Sequence, residues 1–255
     1  MSGQSYYSDR IVVTEQQLHQ LVQEAPPDQP TPRPIRSLIL AAVDRALTVR
    51  YGDNASLRCY QSSLGIQQLL RRYGIASDLI HGVVCMPERC DQEGRRLCWG
   101  GYFGEDHHVW VRTARRELVD LSITRMHKRP IASARHSAPV PAFWWHEQPM
   151  PSCIVYLSDG PIETREFSGA DERDTLEFVA MCEGFAHDLR QGAKINRLRY
   201  GPVVTGIKDL DALWHSKNPW AETCVFFNAH QFPYPDDIQR RIAERYAPLQ
   251  QKEAK

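Results

Sequence analysis

A chain of 255 residues is long enough to bury the core of one large domain without covalent staples. Apolar residues make up 42% and charged residues 24%, the balance of an ordinary globular protein. With 31 basic and 31 acidic residues, the charge favours neither nucleic acid nor an anionic membrane as an obligatory partner.

No run of about 18 apolar residues marks a membrane span. The opening "MSGQSYYSDRIVVTEQQLHQ" lacks the basic start, apolar stretch and small-residue cleavage site of a secretory signal. A cytoplasmic location is therefore expected. The seven cysteines are odd in number and scattered, a pattern that suits reduced thiols better than a disulfide framework.

Thr14 followed by Glu15, Gln16 and Gln17 predicts a helix N-cap with a capping box, and Leu18, Leu21 and Val22 supply a short apolar face. "APPDQPTPRP", residues 25–34, reads as an extended connector, because its prolines remove donors and fix the backbone. A second helix follows, with Ile35, Leu38, Ile39, Ala42, Val43 and Ala46 at helical spacing and Gly52 as its stop. A third opens near Cys59 and ends around Gly74.

Then the period changes. "SDLIHGVVCM" and "HHVWVRTARRELVDLSI" are rich in β-branched and aromatic residues and read as strands, the second broken at Thr113 to Glu117 as a hairpin. "PERCDQEGRRLCWGGYFGED" between them reads as a long polar loop with a short strand at residues 96–99. Residues 126–151 are proline- and aromatic-rich, with "PVPAFWWHEQPMP" the clearest irregular stretch, either a lid or a core plug. "SCIVYLSD" predicts another strand. Residues 171–193 predict an amphipathic helix capped by Asp171, with Leu176, Val179, Ala180 and Phe185 on its apolar side. "WHSKNPWAETCVFFNAHQFPYP" reads as a structured loop, and the tail begins as a helix. Helices, then strands, then helices predict an α+β fold with an antiparallel sheet.

Within the third helix, Cys59, Ser62, Ser63, Ile66, Leu70 and Tyr73 share one face. The first turn of a helix carries unpaired N–H groups and the positive end of the dipole, a setting that favours a thiolate over a thiol. A nucleophilic cysteine also needs a base. Of the paired histidines, only His108 alternates onto the face of Trp110. On the next strand Asp120 interrupts the apolar run Leu118, Val119, Leu121, Ile123, and a carboxylate in such a run needs a partner. Hairpin-linked strands could set Asp120 against the far ring nitrogen of His108, giving a Cys–His–Asp relay.

These residues resemble the transglutaminase-like branch of the papain-like cysteine superfamily, in which a cysteine opens a helix and is followed by "H-A-W-V" and "V-D". Here the pattern is "CYQSSLGIQQLLRRYGIASDLIHGVV", then His108-Val109-Trp110-Val111, then Val119-Asp120. Arylamine acyltransferases and the leader peptidases of lasso-peptide biosynthesis share that core. The resemblance implies an α+β papain-like, transglutaminase-type core at residues 35–150, after an N-terminal helix and connector at 1–34 and before a C-terminal extension at 151–255.

It implies Cys59 as nucleophile, His108 as general acid/base and Asp120 as the orienting group. Asn54 or Gln61 would help the Cys59 N–H form an oxyanion hole, and Trp110, Trp99 and Tyr60 would line the groove. The activity implied is acyl transfer on amides through a thioester, with no cofactor, in peptidase, amidase, deamidase or transferase form. The substrate would be a peptide, a protein or a small amide or amine. Tyr60 and Gln61 stand where the family often has tryptophan or alanine, and the loop before His107 is longer and richer in cysteine; both leave the substrate open. Two other readings stand beside this one. One is an inactive descendant of the fold that binds a peptide or protein, with Cys59 a core residue. The other is a zinc module using Cys85, Cys90, Cys98 and His107, whose spacings are not those of paired Cys-x-x-Cys knuckles.

Overall fold

The computed structural model describes residues 14–89, 97–103, 107–128, 139–162, 172–191 and 202–253. Helix α1 (Glu15–Glu24) starts at the expected box: the Gln17 N–H donates to Thr14 Oγ1 and the Thr14 N–H to Gln17 Oε1. Its far end is held by Arg115, whose guanidinium donates to the carbonyls of Val22, Ala25, Pro26 and Gln29. Helix α2 (Arg33–Tyr51) begins at the end of the proline connector and stops at Gly52, whose φ of 52° suits glycine. It buries Ile35, Leu38, Ile39, Val43 and Leu47 completely, each contributing about 1.5–3 kcal/mol of hydrophobic stabilisation. A 3-10 turn (Gly52–Leu57) leads into helix α3 (Cys59–Arg72).

The sheet is built from β1 (Ser77–Arg89), β2 (Leu97–Tyr102), β3 (His108–Thr113), β4 (Leu118–Asp120), β5 (Ala142–Trp145), β6 (Val155–Pro161) and β7 (Val203–Val204). All of its pairings are antiparallel except β5 with β7. Ile80 pairs with both Trp110 and Pro161, and Val84 with both Tyr102 and Tyr156. Strand β6 therefore takes one edge of β1, while β3 and then β2 run along the other. Helix α4 (Glu172–Gln191) packs on α2 and α3, on the face carrying Leu79, Val111, Val119 and Trp144. Helices α5 (Ile207–His215) and α6 (Pro219–His230) lie on the opposite side, where Trp220 and Phe227 join Ile80, Val84, Trp110 and Phe143. Helix α7 (Asp236–Glu253) closes the chain. The α+β class is as expected, and no helix among the described residues is long and apolar enough to cross a membrane.

Several expectations are corrected. "PVPAFWWHEQPMP" contains β5, whose four residues are all buried. A strand covered on both faces reads as a continuous apolar run rather than an alternation. Trp144 and Trp145 are core residues, so this stretch is not a lid. The supposed loop after Trp214 contains α6, capped by Asn218, whose side chain accepts from the N–H groups of Trp220 and Ala221. In α4 the buried apolar positions are Phe178, Cys182, Ala186 and Leu189, while Leu176 is exposed; Asp171 lies outside the described residues. Residues beyond 150 are part of the same sheet through β6 and β7. Finally, Cys98 is disulfide-bonded. The odd cysteine count excludes only complete pairing, not a single bridge.

Candidate active site

Arg58, the residue before α3, has a non-helical backbone and supplies no capping hydrogen bond. Cys59 is thus the first helical residue, at the end where N–H groups point out of the helix. One turn on, the buried Ser63 hydroxyl donates to the Val109 carbonyl at 2.8 Å. That bond pins the start of α3 beside the start of β3, where His108 stands. Cys59 is half-buried, while His108 and Asp120 are 0% and 1% exposed.

The structure brings the three expected residues together. His108 Nε2 lies 2.6 Å from Asp120 Oδ2; a carboxylate only accepts, so Nε2 carries the proton. Nδ1 is buried without a hydrogen-bond partner and is the nitrogen left for Cys59, whose side chain interacts with this imidazole. Asp120 is itself fixed: the Ser122 hydroxyl and the Ile123 N–H donate to Oδ1 at 2.9 and 3.2 Å, and the Tyr156 hydroxyl donates to Oδ2 at 2.9 Å.

Electrostatics follow from this geometry. Burial opposes a charged His108, yet the negative charge of Asp120, its hydrogen bond and the Cys59 side chain outweigh it, pushing the imidazole up to about 10. Asp120 is raised by burial but lowered more by His108 and by the hydrogen bonds from His108, Tyr156 and Ser122, so it lies below its ordinary range. Together they form a buried imidazolium–carboxylate pair facing a cysteine.

The ring of Tyr102 stacks on the imidazole with centroids 4.5 Å apart, and its hydroxyl donates to the Ser56 carbonyl just ahead of Cys59. The sequence reading missed Tyr102, Ser122 and Tyr156. Ser122 had a local signal, since a serine two residues after an aspartate commonly returns a hydrogen bond; the two tyrosines had none.

The groove residues fare differently. Trp99 is not at the site: its indole N–H donates to the Pro233 carbonyl at 2.7 Å, and its ring packs on Phe227 and Tyr234. Trp110 is buried and lies near-parallel to His108 at 6.3 Å, forming the floor of the site rather than a groove wall. Tyr60 is half-buried and packs against the helical core. Asn54 is exposed on the 3-10 turn and Gln61 half-buried in the first turn of α3. Of the cysteines considered for zinc, Cys98 is in a disulfide, Cys85 is buried in β1 and Cys90 lies outside the described residues. Among the described residues no three His, Cys, Asp or Glu side chains converge on a metal position.

No protein-family model, characterised protein or solved structure significantly matches this chain.

Proposed function

We propose that this chain is a cysteine-dependent acyl-transfer enzyme of the papain-like, transglutaminase-type fold, acting on an amide through a thioester at Cys59. The observation that carries this reading is the buried His108–Asp120 pair at 2.6 Å, whose imidazole also interacts with the side chain of the half-buried Cys59 at the start of α3. One ring nitrogen is taken by Asp120 and the other makes no hydrogen bond, which leaves it able to accept and return a proton.

The chemistry follows in two halves. Cys59 Sγ, its proton passed to His108 Nδ1, attacks the amide carbon. The carbonyl π electrons move to oxygen, which the N–H groups at the start of α3 can stabilise. On collapse the C–N bond breaks, and the Nδ1 proton goes to the leaving amine. Water or an amine then attacks the thioester, returns a proton to Nδ1 and expels the sulfur. Asp120 keeps the imidazole oriented throughout and stabilises it whenever Nδ1 carries the proton.

Incubation with p-nitrophenyl acetate, followed by intact-mass analysis and peptide mapping, is the test. One acetyl group on Cys59, released by hydroxylamine or by an added amine, is the expected result. A Cys59 that stays unmodified while other residues are acetylated would instead favour a binding module built on this fold.

A further inference from the structure

Tyr156 on β6 reaches the candidate active site from the C-terminal half of the chain. In a flat sheet Tyr156 on β6 would lie three strands from Asp120 on β4, across β1 and β3. At about 4.8 Å per strand that is roughly 14 Å, beyond the reach of a tyrosine. The 2.9 Å bond between them therefore requires the sheet to curl, with both side chains inside the curl. Gly82 makes room for this: a Cβ there would stand 2.9 Å from the Trp110 ring and 2.0 Å from the Leu157 carbonyl oxygen. Trp110 lies over that gap and meets the Tyr156 ring edge-on at 5.2 Å, while Phe143 meets it at 6.1 Å.

We propose that Tyr156 is a positioning residue for the triad, its hydroxyl sharing Asp120 Oδ2 with His108 and so setting how strongly the carboxylate holds the imidazole. This rests on the acyl-transfer reading of the site. The two donors to Oδ2 compete for one oxygen, His108 at 2.6 Å and Tyr156 at 2.9 Å. A neutral phenol in that place partly neutralises the carboxylate without supplying a charge. Burial and the nearby carboxylate push the Tyr156 phenol well above its ordinary range, so it remains a donor at all working pH values. The titratable groups facing this carboxylate are His108 from β3 and Tyr156 from β6. Cys59 from α3 lies beyond the imidazole and Tyr102 from β2 beside Tyr156.

The test is the pH profile of Cys59 alkylation by iodoacetamide in wild type, Tyr156→Phe and Tyr156→Leu, read by mass spectrometry beside thermal melts. Tyr156→Phe keeps the ring contacts and removes only the donor. Its acid limb is expected to move down by roughly one pH unit, because the carboxylate, no longer shared, holds the imidazolium more strongly and so favours the Cys59 thiolate beside it. Tyr156→Leu should show the same shift together with a lower melting temperature. If Tyr156→Phe has the wild-type profile while wild-type labelling still depends on His108, Tyr156 is only a packing residue and the assignment is overturned. If wild-type labelling does not depend on His108, the acyl-transfer reading fails first, and the Tyr156 assignment with it.

Discussion

Tyr102 and His108 lie face to face, ring centroids 4.5 Å apart and planes 14° from parallel, although residues 103–107 separate them in the chain. The reason is register. Tyr102 pairs with Val84 and His108 with Gly82, so the two rings stand two residues apart along β1 and share a face. Because the Tyr102 hydroxyl also holds the Ser56 carbonyl at 3.1 Å, one side chain fixes the imidazole against the segment that leads to Cys59. Tyr102→Ala is expected to cost about 3–5 kcal/mol in urea unfolding, as large-to-small core changes do. Tyr102→Phe should cost about 1 kcal/mol, the net worth of the lost hydrogen bond. Equal effects of the two changes would show that the ring contributes nothing beyond its hydroxyl and would contradict this role.

The buried pair dictates a pH dependence. His108 is raised above its ordinary 6.5, so its stabilisation is complete below about pH 6.5 and is lost as pH rises through the folded value. Asp120 is lowered from 3.8, so its stabilisation is complete above about pH 4 and is lost as pH falls through the folded value. The stability gap between wild type and Asp120→Asn should therefore be widest from about pH 4 to 6.5, on the order of 3–5 kcal/mol. It should narrow as pH rises towards 10 and as pH falls below about 4. Melting temperatures across that range measure it, and a constant gap would mean that the two groups are not an ion pair.

Glu117 is a second buried carboxylate, with a purely structural setting. The Thr31 N–H and the Trp144 indole N–H donate to Oε1, and the hydroxyls of Thr31 and Thr113 donate to Oε2, all at 2.7–2.8 Å. This ties the proline connector and β5 to the β3–β4 hairpin. Glu117→Ala leaves those donors unsatisfied and is expected to destabilise by about 3–5 kcal/mol. Because the cost is shared with the connector, Thr31→Ala in the Glu117→Ala background should add little. Full additivity in that double-mutant cycle would refute the network.

Gly65 lets α4 approach α3. A Cβ there would meet Cys182 Sγ at 3.0 Å, Phe178 Cε1 at 3.1 Å and Val43 Cγ2 at 3.4 Å. In an exposed helix Gly→Ala gains about 1 kcal/mol, but overpacking a core costs about 1–3 kcal/mol. Gly65→Ala should be net destabilising, Gly65→Val more so, and Cys182→Ala should partly rescue Gly65→Ala. A stabilised Gly65→Ala would show that the helices separate at no cost.

What was legible in the sequence was local. The capping box at Thr14, the stop at Gly52, the helix starting at Cys59 and the hairpin at Thr113 to Glu117 each rest on residues within a few positions of one another. His108 and Asp120 could be chosen because strand alternation and a carboxylate in an apolar run are both local signals. Tyr156 and Tyr102 could not, since their roles depend on sheet curl and on the register of two strands along β1. β5 and α6 were hidden for one reason: each is apolar on more than one side, so neither shows a period. In α4 the periodicity was present but the face was misassigned, because Leu176 and Phe178 are equally apolar and only packing on α2 and α3 distinguishes them.

The central claim, an activated thiol governed by His108, is tested most directly by brief iodoacetamide treatment at pH 6. Peptide mapping by mass spectrometry would compare wild type with His108→Ala, with melting temperatures recorded for both. A free thiol is almost wholly protonated at that pH, so an imidazolium-paired Cys59 should label at least roughly tenfold faster than free cysteine. In a folded His108→Ala variant that advantage should vanish. Labelling of Cys59 only after denaturation, or at the same rate in both proteins, would contradict the account and leave Cys59 a packing residue.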